Sequence, residues 1–225
     1  IPVITTIMGK GSIPTTHDLY LGNIGIHGSY AANHAVSECD VLFSIGTRFN
    51  DRITGKISEF AKHAKIIHID ADSASISKNI VVDIPIVADA KLAIEKLLEY
   101  VSPSKAEKWL EQVTEWKKAN PINMDKYEGL TPEKVIRYIN ENIKHPIVAT
   151  DVGQNQLWTT QYLELESNHQ FLTSGGLGTM GYGFPAAIGA QIGNPDKTVI
   201  AISGDGGMQM NIQEFATAVA LELPL

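Results

Sequence analysis

Cysteine is almost missing from this sequence: among 225 residues only Cys39 is present. A single thiol allows no intrachain disulfide, so the core must hold the fold, and a reducing, cytoplasmic compartment is the simple expectation. Cys39 itself reads as a small hydrophobe on a helix face rather than as a nucleophile. Long apolar runs are also lacking, and none approaches the ~18 residues that a membrane-spanning helix needs. Net positive charge is lacking too. The formal charge of −7 argues against a nucleic-acid groove or an anionic membrane surface as the main partner. An anionic ligand would have to be held locally, by backbone amides, helix ends or a metal. The seven histidines show no HExxH or comparable metal spacing. No fixed-period repeat or low-complexity tract occurs. What is left, 44% hydrophobic and 19% charged residues, is the composition of an ordinary α/β protein with length for a sizeable core.

The chain opens directly into a strand-like run, Ile1–Thr6, and stops abruptly at Leu225, so both ends are expected to cut through folded structure. Further short apolar runs at Val41–Ile45, Lys65–Ile69, Pro146–Thr150, Phe171–Thr173 and Thr198–Ser203 read as buried parallel strands. Helical periodicity fills Tyr30–Cys39, Ala90–Val101, Pro132–Ile143, Pro185–Ile192 and Ile212–Leu221. Strands alternating with helices predict two doubly wound parallel-sheet domains, over 1–101 and 129–225. The charged stretch between them, with Lys105, Glu107, Lys108, Trp109 and Trp116, reads as a helical linker over 102–128. Its two tryptophans are seven residues apart, so they share a face that packs onto a domain.

Polar residues gather at the carboxyl ends of the strands, where open α/β sheets place ligands. Gly204-Asp205-Gly206-Gly207 follows the last strand and precedes a helix expected to begin near Asn211. The glycines permit close backbone approach to an anion, and Asp205 is a hard oxygen ligand suited to Mg²⁺ bridging to a diphosphate. A plain tight turn reads equally from Asp-Gly. Asp151-Val152-Gly153-Gln154-Asn155-Gln156 follows another strand, and Asp151 reads best as the N-cap of the next helix. In Ser174–Ala190, SGGLGTMGYGFPAAIGA, Met180 on its own would be a core-filling residue in a glycine-rich lead-in to a helix. Earlier in the chain, Gly25-Ile26-His27-Gly28 can approach a flat ring. Arg48 and Arg52 can meet phosphate or flavin oxygens, or simply pair with Asp51 or Glu59. Asp70 sits where an acidic residue can take a ribose or ribityl hydroxyl, and Asp89 reads as an N-cap.

Taken together, these segments resemble acetolactate synthase catalytic subunits, members of the thiamine-diphosphate enzymes. By that resemblance the first domain is the central FAD-binding domain and the second is part of the thiamine-diphosphate domain. Asp205 would bind Mg²⁺ with an Asn that the family carries beyond the position of Leu225. Gly178 and Met180 would hold and bend the pyrimidine, which gives them the catalytic role, while Val152, Gly153, Gln154, Asn155, Gly206 and Gly207 would contact the same cofactor. Many relatives have His where Asn155 stands, and Asn can donate to a phosphate oxygen without adding charge. His27, Gly28, Arg48, Arg52, Asp70 and Asp89 would contact FAD, with Arg52 also lining the substrate passage. The family usually has an acidic residue where Asn50 stands.

The implied reaction joins two pyruvates, or pyruvate and 2-oxobutyrate, with loss of carbon dioxide on the route to valine, leucine and isoleucine. FAD would be structural. The implied assembly is a homodimer or tetramer with the active site at the subunit interface and a small regulatory subunit. The activating glutamate would come from a domain not represented here, so this piece alone should be inactive. Glyoxylate carboligase and pyruvate oxidase are alternatives of the same architecture. A flavin-dependent oxidoreductase and a non-catalytic nucleotide-binding module are the alternatives from other classes.

Overall fold

The structure is a computed structural model that describes residues 1–103 and 106–225; Lys105, read as part of the linker helix, lies outside the described residues. In chain order the elements are β1 (Val3–Thr5), β2 (Tyr20–Asn23), α1 (Tyr30–Glu38), β3 (Val41–Ile45), α2 (Asp51–Thr54), β4 (Lys65–Asp70), β5 (Ile84–Val87), α3 (Ala90–Leu98) and α4 (Glu107–Ala119). They continue with α5 (Pro132–Asn142), β6 (Ile147–Thr150), α6 (Gln154–Tyr162), β7 (Phe171–Thr173), α7 (Gly183–Gly193), β8 (Val199–Ile202), α8 (Asp205–Met210) and α9 (Phe215–Ala220). No helix among the described residues is long and apolar enough to cross a membrane. The chain divides into two compact units, Ile1–Thr6 with Ile24–Pro121, and Ile7–Asn23 with Ile122–Leu225.

The first unit is built on a parallel sheet in the order β3-β4-β5, with Ile45 opposite Ile69 and Ile69 opposite Ile86. Val36 of α1, Phe49, Ala61, Ile66 and Ile80 form its core. The helix α1 starts at Ser29, whose hydroxyl accepts from the Ala32 amide at 3.0 Å, satisfying a donor the helix leaves open. Cys39 closes the same helix from its C-cap position, its thiol 3.4 Å from the Val36 carbonyl. It is thus a capping residue and not, as expected, a helix-face hydrophobe. Burial first, and neighbouring Asp40 second, push the thiol above its ordinary pKa. The α4 helix packs on α1. Trp116 meets His34 edge-on at 4.9 Å between ring centroids, and Trp109 meets Trp116 at 5.7 Å, as their seven-residue spacing predicts.

The second unit has a parallel sheet in the order β7-β6-β8. All of β6 is buried, and its alternate residues point to opposite faces. On one side Val148 joins Ile136, Ile139, Tyr162, Leu163, Leu165 and Phe171 under α5 and α6. On the other, Ile147 and Ala149 meet Ala187 of α7 and Val199. Helices on both faces make this a doubly wound layer, in agreement with the α/β reading. Thr131 caps α5 ahead of Pro132 at its first turn, the position where a missing amide hydrogen costs nothing. Buried Glu133 takes Arg137 Nε at 2.8 Å and the Met124 amide at 2.5 Å, which fixes the approach to α5. Thr15 secures the segment 7–23 to this unit: its hydroxyl accepts from the Leu165 amide at 2.8 Å, and its own amide donates to the Leu165 carbonyl at 2.9 Å.

Candidate functional site

In the second unit three turns converge at the carboxyl ends of β6, β7 and β8. The middle strand β6 is followed directly by Asp151, whose amide donates to the Ile202 carbonyl of β8 at 2.9 Å. At the same level a buried polar set forms, with Thr150 Oγ1 to Thr173 Oγ1 at 2.9 Å and Gln156 Nε2 to Thr173 Oγ1 at 2.7 Å. The strand ends are thereby locked in register, and the turns that leave them share one surface.

Asp151 is not the N-cap that its place in the sequence suggests. Gly153, with φ of 128°, occupies that position before α6, and it offers no side chain. The Asp151 side chain turns into the interior, where it is wholly buried. Its Oδ1 accepts from Val152 N and Gly181 N, and its Oδ2 from Gly183 N, each at 2.9 Å. The two residues between Asp151 and α6, one in a conformation only glycine readily adopts, put the carboxylate out of reach of that helix's first amides.

The Gly204–Gly207 turn also differs from expectation. The helix begins at Asp205 itself, with Gly204 extended at φ −79° and ψ 171° as the N-cap. The chain bends at Asn211 (φ −136°, ψ 32°) and resumes helically as a short 3₁₀ turn and then α9. A carboxylate in the first turn of α8 is favoured by the helix dipole and frees Gly204 to serve as the cap. This outweighs the low intrinsic helix propensity of the glycine pair, which had suggested a later start. Asp205 is exposed on the surface of the turn.

The convergence is close. A Cβ on Gly206 would lie 2.6 Å from Met180 Cε, one on Gly204 would lie 3.4 Å from Asn155 Nδ2, and one on Gly178 would lie 4.0 Å from Val152 Cγ1. Val152, Asn155, Gly178, Met180, Gly206 and Gly207 therefore meet at one place, with Gly153 and Gln154 in the same turn. Met180 is half exposed, which an ordinary core-filling methionine would not be. Asn155 Oδ1 is buried without a hydrogen-bond partner, a state that calls for a ligand atom. Among the described residues no cluster of three or more His, Cys, Asp or Glu side chains converges to hold a metal. A divalent ion at Asp205 would thus need further oxygens from the ligand itself or from another segment.

In the first unit a cleft of about 480 Å³ opens at the carboxyl ends of β3, β4 and β5. The Gly46 amide hooks onto the Ile69 carbonyl at 2.8 Å, and the Ala88 amide onto the Asp70 carbonyl at 3.1 Å, which brings the three strand ends together. Arg48, Asp70 and Asp89 all line this cleft. Asp89 also caps α3 through the Leu92 amide at 3.1 Å, so the N-cap reading holds. Asp70 Oδ1 accepts from the Asp72 amide at 2.9 Å, and its Oδ2 lies 3.7 Å from Nε2 of buried His68. Burial pushes the His68 imidazole below its usual pKa, against the opposing pull of Asp70. Arg48 and Arg52 form no ion pair among the described residues, and Glu59 pairs with Lys56 and Lys62 instead. Pairing with Asp51 or Glu59 is therefore corrected, and both guanidinium groups are left for other partners.

His27, Gly28 and Arg52 belong to a neighbouring structure. The Ile26 amide donates to the Arg52 carbonyl at 3.0 Å, and a Cβ on Gly25 (φ 108°) would collide with that carbonyl. Asn33 grips Gly25 at both ends, its Oδ1 accepting from the Gly25 amide and its Nδ2 donating to the Gly25 carbonyl, each at 2.9 Å. The His27 turn and the Arg52 turn are thus sewn together. Sequence reasoning missed Asn33 and also Asn211, whose Nδ2 donates to the Gly181 carbonyl at 2.7 Å. The only available signal was an Asn near a glycine turn, which is too common to single out.

Comparison with known proteins places these turns in a family. Residues 1–97 match the model for the thiamine pyrophosphate enzyme central domain, and residues 151–225 match that for the C-terminal TPP binding domain. The whole chain is 49% identical to a probable acetolactate synthase large subunit of Methanocaldococcus jannaschii, of which it covers 40%. It is 45% identical to the acetolactate synthase large subunit of Cyanidium caldarium, also covering 40%. The large subunit of acetolactate synthase isozyme 3 of Escherichia coli is 39% identical, with 41% covered. The chain thus spans about two fifths of the length of these curated relatives.

Proposed function

We propose that this chain, which belongs to the thiamine pyrophosphate enzymes, carries the flavin-holding and thiamine-diphosphate-holding parts of an acetolactate synthase catalytic subunit. The observation that carries the proposal is the meeting of the Met180 loop, the Val152–Asn155 turn and the Gly204–Gly207 turn at the ends of one parallel sheet. We assign the central domain to 1–101, a helical connection to 102–128 and the thiamine-binding part to 129–225.

The residues present fit the cofactor. An elongated ligand with a ring at one end and a diphosphate at the other suits a loop with an exposed methionine at one end and a glycine cradle with a carboxylate at the other. The turn Gly204–Gly207 carries no side chain except that of Asp205, so its backbone amides can face phosphate oxygens. The orphaned amide of Asn155 faces the same turn, and because amide ends are interchangeable by rotation it can donate there. Asp205 would hold Mg²⁺ against the diphosphate. Gly178 and Met180 would present their backbone to the pyrimidine, with the Met180 side chain between the two ring systems. Bound thiamine diphosphate would serve as the electron sink for loss of carbon dioxide from a 2-oxo acid. The protein's part is to fix the bend and keep the site dry.

In the first unit Arg48, Asp70 and Asp89 would hold FAD at the cleft, with guanidinium to phosphate and carboxylate to ribityl or ribose hydroxyl. His27, Gly28 and Arg52 would contact the same group from the sewn turns, with Arg52 also lining the substrate passage. The substrates are pyruvate and a second pyruvate or 2-oxobutyrate. We assign the intact subunit to a homodimer or tetramer that works with a small regulatory subunit in the cytoplasm. The test is acetolactate formation from pyruvate by the intact protein, with and without thiamine diphosphate and Mg²⁺. Activity that needs both is expected, and release of no carbon dioxide under full loading overturns the reading.

A further inference from the structure

We infer that Asp151 is the positioning residue of the second unit's site, the group that sets Met180 against the Gly204–Gly207 turn. The inference rests on the thiamine-diphosphate reading above and goes beyond it, because Asp151 is not itself one of the residues assigned to the cofactor, although it accepts from the Val152 amide and lies against Gly207, which are. Asp151 is 0% exposed and pairs with no cation among the described residues. A buried carboxylate of this kind persists only if hydrogen-bond donors surround it. Here the donors are three backbone amides, those of Val152, Gly181 and Gly183. Gly183 is the first residue of α7, so the carboxylate also sits at the positive end of that eleven-residue helix.

These amides belong to the segments that matter. Gly181 directly follows Met180. Gly207 directly follows Gly206, and a Cβ on Gly207 would lie 2.5 Å from Asp151 Oδ1. Beside the Met180–Gly206 approach, 2.6 Å to a Cβ built on Gly206, one carboxylate therefore binds the residue after Met180 by a hydrogen bond and packs against the residue after Gly206. A Cβ on Gly183 would collide with the Asp151 backbone amide, so α7 starts flush against the end of β6. Asn211 supports the same loop from the opposite side, through the Gly181 carbonyl at 2.7 Å. The Asp151 carboxylate, the Gly181 and Gly183 amides and the Gly181 carbonyl are all hydrogen-bonded inside the protein, so this hub exists before any ligand arrives. It fixes where a ring and a diphosphate must lie relative to each other.

Replacing Asp151 with Asn keeps the size but turns one acceptor into a donor facing an amide hydrogen, which leaves a buried donor unpaired. The experiment uses the intact protein in two parts. In the first, hydrogen exchange is measured without cofactor, comparing wild type with D151N. Exchange at Gly181 and Gly183 is expected to rise at least tenfold while the amides of β6 and β8 keep their protection; unchanged exchange at both glycines overturns the inference whatever the protein binds. Should D151N fail to fold, N211A replaces it, removing the opposite strut. Exchange at Gly181–Gly183 is then expected to rise several-fold, and no rise overturns the inference.

The second part is calorimetric titration with thiamine diphosphate and Mg²⁺, followed by steady-state kinetics with pyruvate. D151N is expected to bind the cofactor at least tenfold more weakly and to lose kcat at least tenfold, with KM for pyruvate changed less than twofold. Wild-type affinity and kcat in a variant whose loop exchanges fast overturn the positioning role. A wild-type protein that binds no thiamine diphosphate sinks the proposed function instead, and leaves the exchange result standing as the test of the hub.

Discussion

Around the cleft of the first unit the converging groups are charged side chains, Arg48, Asp70 and Asp89. At the site of the second unit they are mostly backbone amides and glycines, with one buried carboxylate, Asp151, organising them. The chain's net charge is −7, so neither unit can rely on the overall field to attract an anionic cofactor. The first unit answers with two unpaired guanidinium groups, which are strong but mobile donors. The second offers fixed dipoles and, on the proposed reading, the Asp205 carboxylate for a divalent ion, groups that cost little reordering when a ligand binds. A group held only for its shape tolerates side-chain recognition, whereas one that must react in a set geometry calls for a rigid cradle.

The largest expected effect tests the ion. Asp205→Ala in the intact protein should lower thiamine-diphosphate retention on the order of a thousandfold, about 4 kcal/mol, while flavin retention is unchanged. Cofactor content after gel filtration in limiting Mg²⁺ measures it, and equal retention by the two proteins would remove the ion from the comparison.

Next comes a second buried titratable group, Lys10. Lys10 of the second unit is 3% exposed, with its Nζ 6.0 Å from the centroid of the Tyr20 ring. Burial lowers its pKa from 10.5 to about 8, with Glu164 opposing. Because the folded pKa lies below the unfolded one, the unfolded chain binds more protons between about pH 8 and 10.5. Stability should therefore rise with pH across that window. A shift of this size is worth about 3 kcal/mol. Lys10→Met should gain most of that at pH 7 and show no rise in the window, as followed by urea unfolding at several pH values.

A smaller effect tests the side-chain half of the comparison. Arg48→Ala should weaken FAD binding roughly tenfold to thirtyfold, about 2 kcal/mol for a hydrogen bond to a charged group. Thiamine-diphosphate affinity should stay as it was, and flavin fluorescence titration decides the matter. Smallest of all, Asp89→Ala removes the α3 cap and should cost about 1 kcal/mol of stability. Asp89→Ser should restore the cap but not the proposed flavin contact, separating the one from the other.

Much of this architecture was legible residue by residue. The strands Val41–Ile45 and Phe171–Thr173 occupy the predicted spans, and the predicted helices start at Tyr30, Ala90 and Pro132 as observed. These spans follow from local periodicity, whose information lies within a few residues. The Asp205 helix was misplaced because two glycines read locally as a turn. Asp151 was misassigned because its partners, Gly181 and Gly183, lie about thirty residues away, beyond any pattern of spacing. Cys39, expected as a small hydrophobe on a helix face, stands at the C-cap instead, because where the chain leaves α1 is a matter of backbone path.

By itself the sequence determined the α/β alternation, the position of most elements, the glycine and aspartate turns at the strand ends and the family resemblance those turns carry. All of these follow from short-range sterics, periodicity and the chemical identity of neighbouring residues. Only the tertiary structure decided where the Asp151 carboxylate points, that Arg48 and Arg52 form no ion pair, and that Asn33 and Asn211 lock the two glycine turns. Such choices depend on which donors and acceptors are buried together once parallel strands distant in sequence align, and burial raises the energy of every wrong pairing.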